Sequence, residues 1–193
     1  MPYARQNYTL SDIKLAFRTL DTNAKAGNQL SPDGVYRPGS AYGKGNFGLQ
    51  PSPHAGIHGA DELHSHPLFA AARISTGGAT THSVMDENQM QNHLVTAFNH
   101  PDMQQFLAQL DGGSDSVGVN VNYSGTAGNC RVMTVGQTRS QNANAAPQAV
   151  MALVLKIRRN PGNSHIPIIQ TAIPYTQVQQ VKTKKGKVLG FTV

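Results

Sequence analysis

The apolar residues of this chain change their spacing at Gly112 and Gly113, and that change limits the folds open to it. Upstream they recur three and four residues apart, as on a helix; downstream they alternate with small or polar residues, as on a half-buried strand. Thr9 and Asp12 have the capping-box spacing, and Ile13, Ala16, Phe17, Leu20 and Ala24 follow on one helical face as far as Gly27. Asp86 is placed to cap a second helix carrying Met90, Leu94, Ala97 and Phe98, which must end before Pro101. Asp102 is placed to cap a third, with Met103, Phe106, Leu107 and Leu110 on its apolar face and the glycine pair as its stop. Val117, Val119, Val121 and Tyr123 then mark the first of several strands. Arg131 to Val135, Ala149 to Ile157 and Ile166 to Ile173 are the next candidates, before a hairpin that turns at Lys184, Lys185 and Gly186. Helices first and strands afterwards predict an α+β fold, with N-terminal helices followed by a mostly antiparallel, twisted sheet.

At 193 residues the chain is long enough to bury a core without covalent staples. Its single cysteine, Cys130, has no partner for an internal disulfide and no metal-ligand spacing around it, which makes it structural or incidental. From Gly27 to about Gly59 the sequence is rich in Gly, Pro, Ser and Asn and has no sustained period. That stretch reads either as a linker or as a loop wrapping the surface. The expected division is therefore residues 1–58, a helix and its connection, and residues 59–193, the working domain. No window offers the ~20 apolar residues of a membrane span, and the N-terminal MPYARQNYTLSD lacks the apolar run of a secretory signal. The expectation is a chain that neither inserts into a membrane nor exports itself.

Charge narrows the partner. Asp115 is the last acidic residue, and Arg131, Arg139, Lys156, Arg158, Arg159, Lys182, Lys184, Lys185 and Lys187 follow it without a carboxylate, so this segment carries +9. The first 115 residues carry seven bases against ten acids, or −3. Such asymmetry points to a polyanion, with nucleic acid first, because phosphate neutralisation by Lys and Arg supplies most non-specific affinity. Arg158 and the four C-terminal lysines are the candidate RNA-binding residues.

The densest group of reactive side chains is GADELHSHPLFAAARIST, with His64, His66 and Arg73 inside ten residues. An imidazole exchanges a proton near neutrality and a guanidinium grips phosphoryl oxygens in a fork. RNA carries its own nucleophile, the 2′-hydroxyl. Its cleavage needs a base, an acid and a donor for the developing charge, and no metal or other cofactor. In SHIPIIQTAIPY, His165, Thr171 and Tyr175 lie on or beside a strand; Thr171 offers a hydroxyl to a phosphate and Tyr175 a ring or hydroxyl to a base.

Residues 59 to 175 resemble the RNase-A-like toxin domains of bacterial contact-dependent inhibition and other polymorphic toxin proteins. The features that carry the resemblance are Leu63 with His66 three residues on, Arg73 after them, the turn STGGATTHSVMD, and the helix pair ENQMQNHLVTAFNHPDMQQFLAQL with Asn99 at its joint. A final strand carries Thr171, Ala172, Ile173 and Pro174, where the family has an aromatic in place of Ile173. The resemblance implies an RNase-A-like sheet and an antibacterial endoribonuclease delivered into the cytoplasm of a target cell. It makes His66 the general base or acid, with His64 as the alternative, Arg73 the transition-state cation and Thr171 a phosphate donor, and it leaves Tyr175 to take the aromatic's place. It also implies a cognate immunity protein, which the +9 segment would favour as acidic.

Two rival readings use the same residues. His64-Ser65-His66-Pro67 is also the core of the zinc motif of JAMM-type metallopeptidases, with Glu62 or another carboxylate as the activating base, but Gly78 stands where that family has an Asp ligand and Asp86, further on, could ligate only through an insertion. The other reading is a non-catalytic basic domain that binds nucleic acid. Binding modules for single strands interleave aromatics with their bases, and the basic half offers only Tyr123, Tyr175 and Phe191.

Overall fold

The computed structural model describes residues 2–16, 81–134, 146–160, 162–163 and 165–193. Residues 10–16 are the described part of helix α1, and its start is the expected capping box: Thr9 Oγ1 accepts the Asp12 N–H at 3.2 Å, and the Asp12 carboxylate accepts the Thr9 N–H at 2.9 Å. After strand β1 (Thr81–Met85), Asp86 caps α2 (Glu87–Asn99) by accepting the Gln89 N–H at 2.9 Å. Helix α3 spans Pro101–Asp111. The remaining strands are β2 (Ser116–Asn122), β3 (Asn129–Thr134), β4 (Gln148–Ala149), β5 (Ala152–Arg158), β6 (Ile168–Tyr175) and β7 (Gly190–Thr192).

These strands make two sheets, ordered β1-β3-β4 and β6-β5-β2-β7. Every pairing among them is antiparallel except β2 with β7, so the α+β class with a mostly antiparallel sheet holds. Val117, Val119 and Val121 of β2 and Leu153, Leu155 and Ile157 of β5 enter one buried cluster with Leu94 and Phe98 of α2 and Met103, Leu107 and Leu110 of α3. Each such side chain, fully buried, contributes about 1.5–3 kcal/mol relative to exposure. The helices thus cover one face of the four-stranded sheet. The Ser83 hydroxyl of β1 donates to the Pro174 carbonyl of β6, which joins the two sheets at their adjacent edges.

The N-terminal segment belongs to this same core. Tyr3, Tyr8, Ile13 and Ala16 are buried in it, and Asn99, at the joint of α2 and α3, exchanges two hydrogen bonds with the Tyr8 backbone, both 2.8 Å. The Asp111 carboxylate accepts the Tyr3 and Ala4 N–H groups at 2.8 and 2.9 Å. The boundary expected between residues 58 and 59 lies outside the described residues.

Several local expectations change. Asp102 is not the cap of α3: His100 takes that place, its Nδ1 accepting the Asp102 N–H at 3.2 Å, because Pro101 fits the first helical position and moves Asp102 into the first turn. The run Ala149 to Ile157 divides into β4 and β5, since Val150 bonds to Gly128 and Ala127 while Met151 bonds to Tyr175, on the other sheet. The last long strand begins at Ile168 and runs through Pro174 to Tyr175. Proline is tolerated there because β6 is an edge strand of its sheet, where a missing N–H costs no ladder bond.

Candidate nucleic-acid interface

With Val117, Val119 and Val121 turned into the core, the intervening β2 positions face away from the helices. Asn122 and Asn120 on that outer face hold the chain segment that follows β6. The Asn122 amide donates to the Gln179 carbonyl and accepts the Gln179 N–H, both at 2.8 Å, and Asn120 Nδ2 donates to the Gln180 carbonyl at 2.8 Å. The segment therefore crosses the outer face at the Asn122 end of β2. At the other end Ser116 and Gly118 remain exposed.

The crossing segment delivers the basic hairpin. Val181 accepts the Leu189 N–H at 2.7 Å, Lys182 bridges Val188, and the Gly186 N–H closes the turn on the Thr183 carbonyl at 2.9 Å. Gly186 has φ +80°, the left-handed position that a type I turn with a G1 bulge reserves for glycine. Lys182, Lys184, Lys185 and Lys187 are all exposed. Because β7 is parallel to β2 with Gly190 opposite Asn120, the hairpin just before Gly190 leaves on the Ser116 side. Gly190 is fixed by close approach, since a Cβ there would meet the Asn120 carbonyl oxygen at 1.9 Å.

The bases of β5 lie at that same end. Arg158 is opposite Ser116 and Lys156 opposite Gly118, while the Arg159 N–H donates to the Asp115 carbonyl at 3.1 Å. Lys156 and Arg159 are exposed and Arg158 is half-buried. Among the described residues no carboxylate forms an ion pair with Lys156, Arg158, Arg159 or the hairpin lysines; Asp115 adjoins Ser116 at this same end but pairs with none of them, while Asp12 pairs with Arg5 at 3.2 Å and Asp102 lies 3.8 Å from His100. The structure thus gathers these seven bases at one end of one sheet.

Of the residues expected to carry chemistry, Thr171 lies in β6 as the direct partner of Lys156, beside the bulge where the register shifts between Lys156 and Ile157. Tyr175 ends the same strand opposite Ala152, with 39% of its surface exposed, and its carbonyl accepts the Met151 N–H at 2.8 Å. His64, His66 and Arg73 lie outside the described residues, as do Glu62 and Gly78 of the zinc motif. Asp86, the remaining carboxylate of that alternative, caps α2. Among the described residues no three of His, Cys, Asp and Glu converge as a metal site would require. Cys130 is a buried free thiol, with its pKa raised by burial.

Asn120, Asn122 and Gly118 did not stand out in the sequence, and Lys156 did so only as one of nine bases. Their signal was present as the polar half of a period-two pattern, which marks a face without saying what lies over it.

No family model and no curated protein matches the chain. Among solved structures, a CdiA-CT/CdiI complex from Y. kristensenii 33638 is similar over 63% of this chain and 94% of that one, at 17% identity and a TM-score of 0.40.

Proposed function

We propose that this protein is a metal-independent endoribonuclease that acts as an antibacterial toxin domain. What carries the reading is the set of bases with no ion-paired acid among the described residues at one end of the four-stranded sheet, with β6 and Thr171 in register beside them. Such a surface suits a phosphodiester chain, and the chemistry of the proposal suits the sequence around His66. In it, His66, or His64 in its place, removes the proton of the 2′-hydroxyl or supplies one to the leaving 5′-oxygen. The 2′-oxygen attacks the adjacent phosphorus and the bond to the 5′-oxygen breaks. Arg73 and the Thr171 hydroxyl stabilise the charge that develops on the phosphoryl oxygens, and Tyr175 stacks on or hydrogen-bonds a base. Lys182, Lys184, Lys185, Lys187 and Arg158 hold the remainder of the strand.

A toxin of this kind acts in the cytoplasm of a recipient cell, and its producer needs an immunity protein. An acidic one would complement the basic end of the sheet. The reading is tested by offering matched RNA and single-stranded DNA oligomers. Cleavage of RNA to a 2′,3′-cyclic phosphate with DNA left intact is the expected result, since only RNA supplies the nucleophile. Equal cleavage of both would overturn the mechanism.

A further inference from the structure

Gly118 is in the middle of β2, where the strand pairs with β5 on one side while β7 reaches only Asn120–Asn122 on the other, and it is exposed. The nearest atom to a Cβ placed on it is the Leu155 carbonyl oxygen of the neighbouring strand at 3.9 Å, so nothing lies over that point of the outer face among the described residues. Its partner across β5 is the exposed Lys156, and the partner of Lys156 across β6 is Thr171. The three form one row at right angles to the strands, and with adjacent strands about 4.8 Å apart the row is about 10 Å long. Arg158, two residues along β5 from Lys156, borders the row at the level of Ser116, another exposed small residue. On the β7 side the Lys182–Lys187 hairpin borders it. The floor is therefore small and open among the described residues, with cations at its β7 end and along its Ser116 side, where Asp115 also lies.

We propose that this row is a seat for the phosphodiester backbone of single-stranded RNA, running from the basic hairpin over Gly118 and Lys156 to β6. The proposal rests on the ribonuclease reading for its substrate but concerns binding alone. A glycine at 118 lets a sugar-phosphate chain lie against the strand, and Lys156 supplies the cation nearest to its path. Packing among the described residues does not require a glycine at 118, because a Cβ there meets only the Leu155 carbonyl oxygen, at an ordinary contact distance of 3.9 Å, and glycine is a poor residue for a strand interior. The sequence thus keeps a residue that weakens the strand at a place where its smallness leaves the face clear.

The test uses a 2′-O-methyl RNA oligomer, which cannot be cleaved through its 2′-oxygen, and compares wild type with Gly118→Glu, Gly118→Gln and Gly118→Lys by fluorescence anisotropy. The Glu variant places a carboxylate among the bases and is expected to bind roughly tenfold more weakly, the Gln variant to stay within about threefold of wild type, and the Lys variant to bind at least as tightly. Thermal melts check that all three fold, and Lys156→Glu serves in their place if Gly118→Glu does not. Lys156→Ala should also lower the slope of log affinity against log salt by about 0.7. Binding that ignores the sign of the charge at 118 overturns the proposal, and unchanged RNA affinity in Gly118→Glu would assign the face to an acidic protein instead. Charge-ordered binding in a protein that leaves unmodified RNA intact would retain the seat and reject the ribonuclease.

Discussion

The Tyr3 hydroxyl lies 3.0 Å from both the Asn160 nitrogen and the Asn163 carbonyl oxygen, accepting from the first and donating to the second, and so ties the chain's first residues to the turn between β5 and β6. That turn follows Arg158 and Arg159, and Asn160 braces it further by donating to the Ile166 carbonyl at 3.0 Å. Tyr3→Phe keeps the ring and removes both bonds, leaving a buried N–H without a partner at a cost of about 1–3 kcal/mol. At roughly 2–4 °C per kcal/mol for a chain of this size, the expected loss of melting temperature is several degrees, read by calorimetry. An unchanged melt would mean that the N-terminal segment does not brace this turn.

The legible part of this molecule is its helices and its core. Met90, Leu94, Ala97 and Phe98 are all fully buried, as their spacing required, and the caps Thr9 and Asp86 act through short-range bonds that a local reading captures. What the sequence withholds is nonlocal. Nothing near Gly190 announces its parallel pairing with Asn120, because a three-residue strand has too few side chains to show a period. Asn122 reads as an exposed strand residue, yet it is buried, since a segment nearly sixty residues later crosses above it. The register that sets Thr171 beside Lys156 depends on a bulge, and a one-residue shift of that kind leaves no mark in composition. For the candidate site, His64, His66 and Arg73 lie outside the described residues, so the sequence and its resemblance carry their roles alone.

Burial limits stability at both ends of the pH range, through His93 on the acid side and through Tyr8, together with Tyr123, on the alkaline side. Burial lowers the pKa of His93, which packs edge-on against Tyr123 with ring centroids 5.2 Å apart. The unfolded chain then takes up that proton first, so the contribution of His93 is present above its ordinary value of 6.5 and is lost as pH falls through 6.5 towards the folded pKa. Burial pushes the Tyr8 phenol up to about 12, against a smaller opposing effect of Arg5, so its contribution is present below 10.0 and is lost as pH rises from there to about 12. Denaturant midpoints measured across pH should fall at both ends, and His93→Phe should flatten the acidic limb alone.

Replacing Lys182, Lys184, Lys185 and Lys187 together by alanine removes exposed charge from a hairpin whose turn is fixed by backbone bonds and Gly186. The fold should stay intact, while RNA affinity drops and its salt dependence flattens by about 0.7 in slope for each phosphate that the lysines no longer neutralise. Unaltered affinity and slope would take the hairpin out of the proposed RNA surface.

The proposed reaction is metal-free cleavage of RNA by an imidazole in the His64-Ser65-His66 segment. The most direct measurement incubates total RNA with purified protein in excess EDTA and compares wild type with His66→Ala and His64→Ala, each checked by a thermal melt. Acid-base catalysis by a positioned side chain contributes about 10²- to 10⁴-fold. Wild type should degrade the RNA rapidly, with a loss of that size in His66→Ala or, if the neighbouring ring is the one used, in His64→Ala, and melts that agree within a few degrees. RNA left whole by the wild type in EDTA, or full activity in both variants, would contradict the proposed reaction.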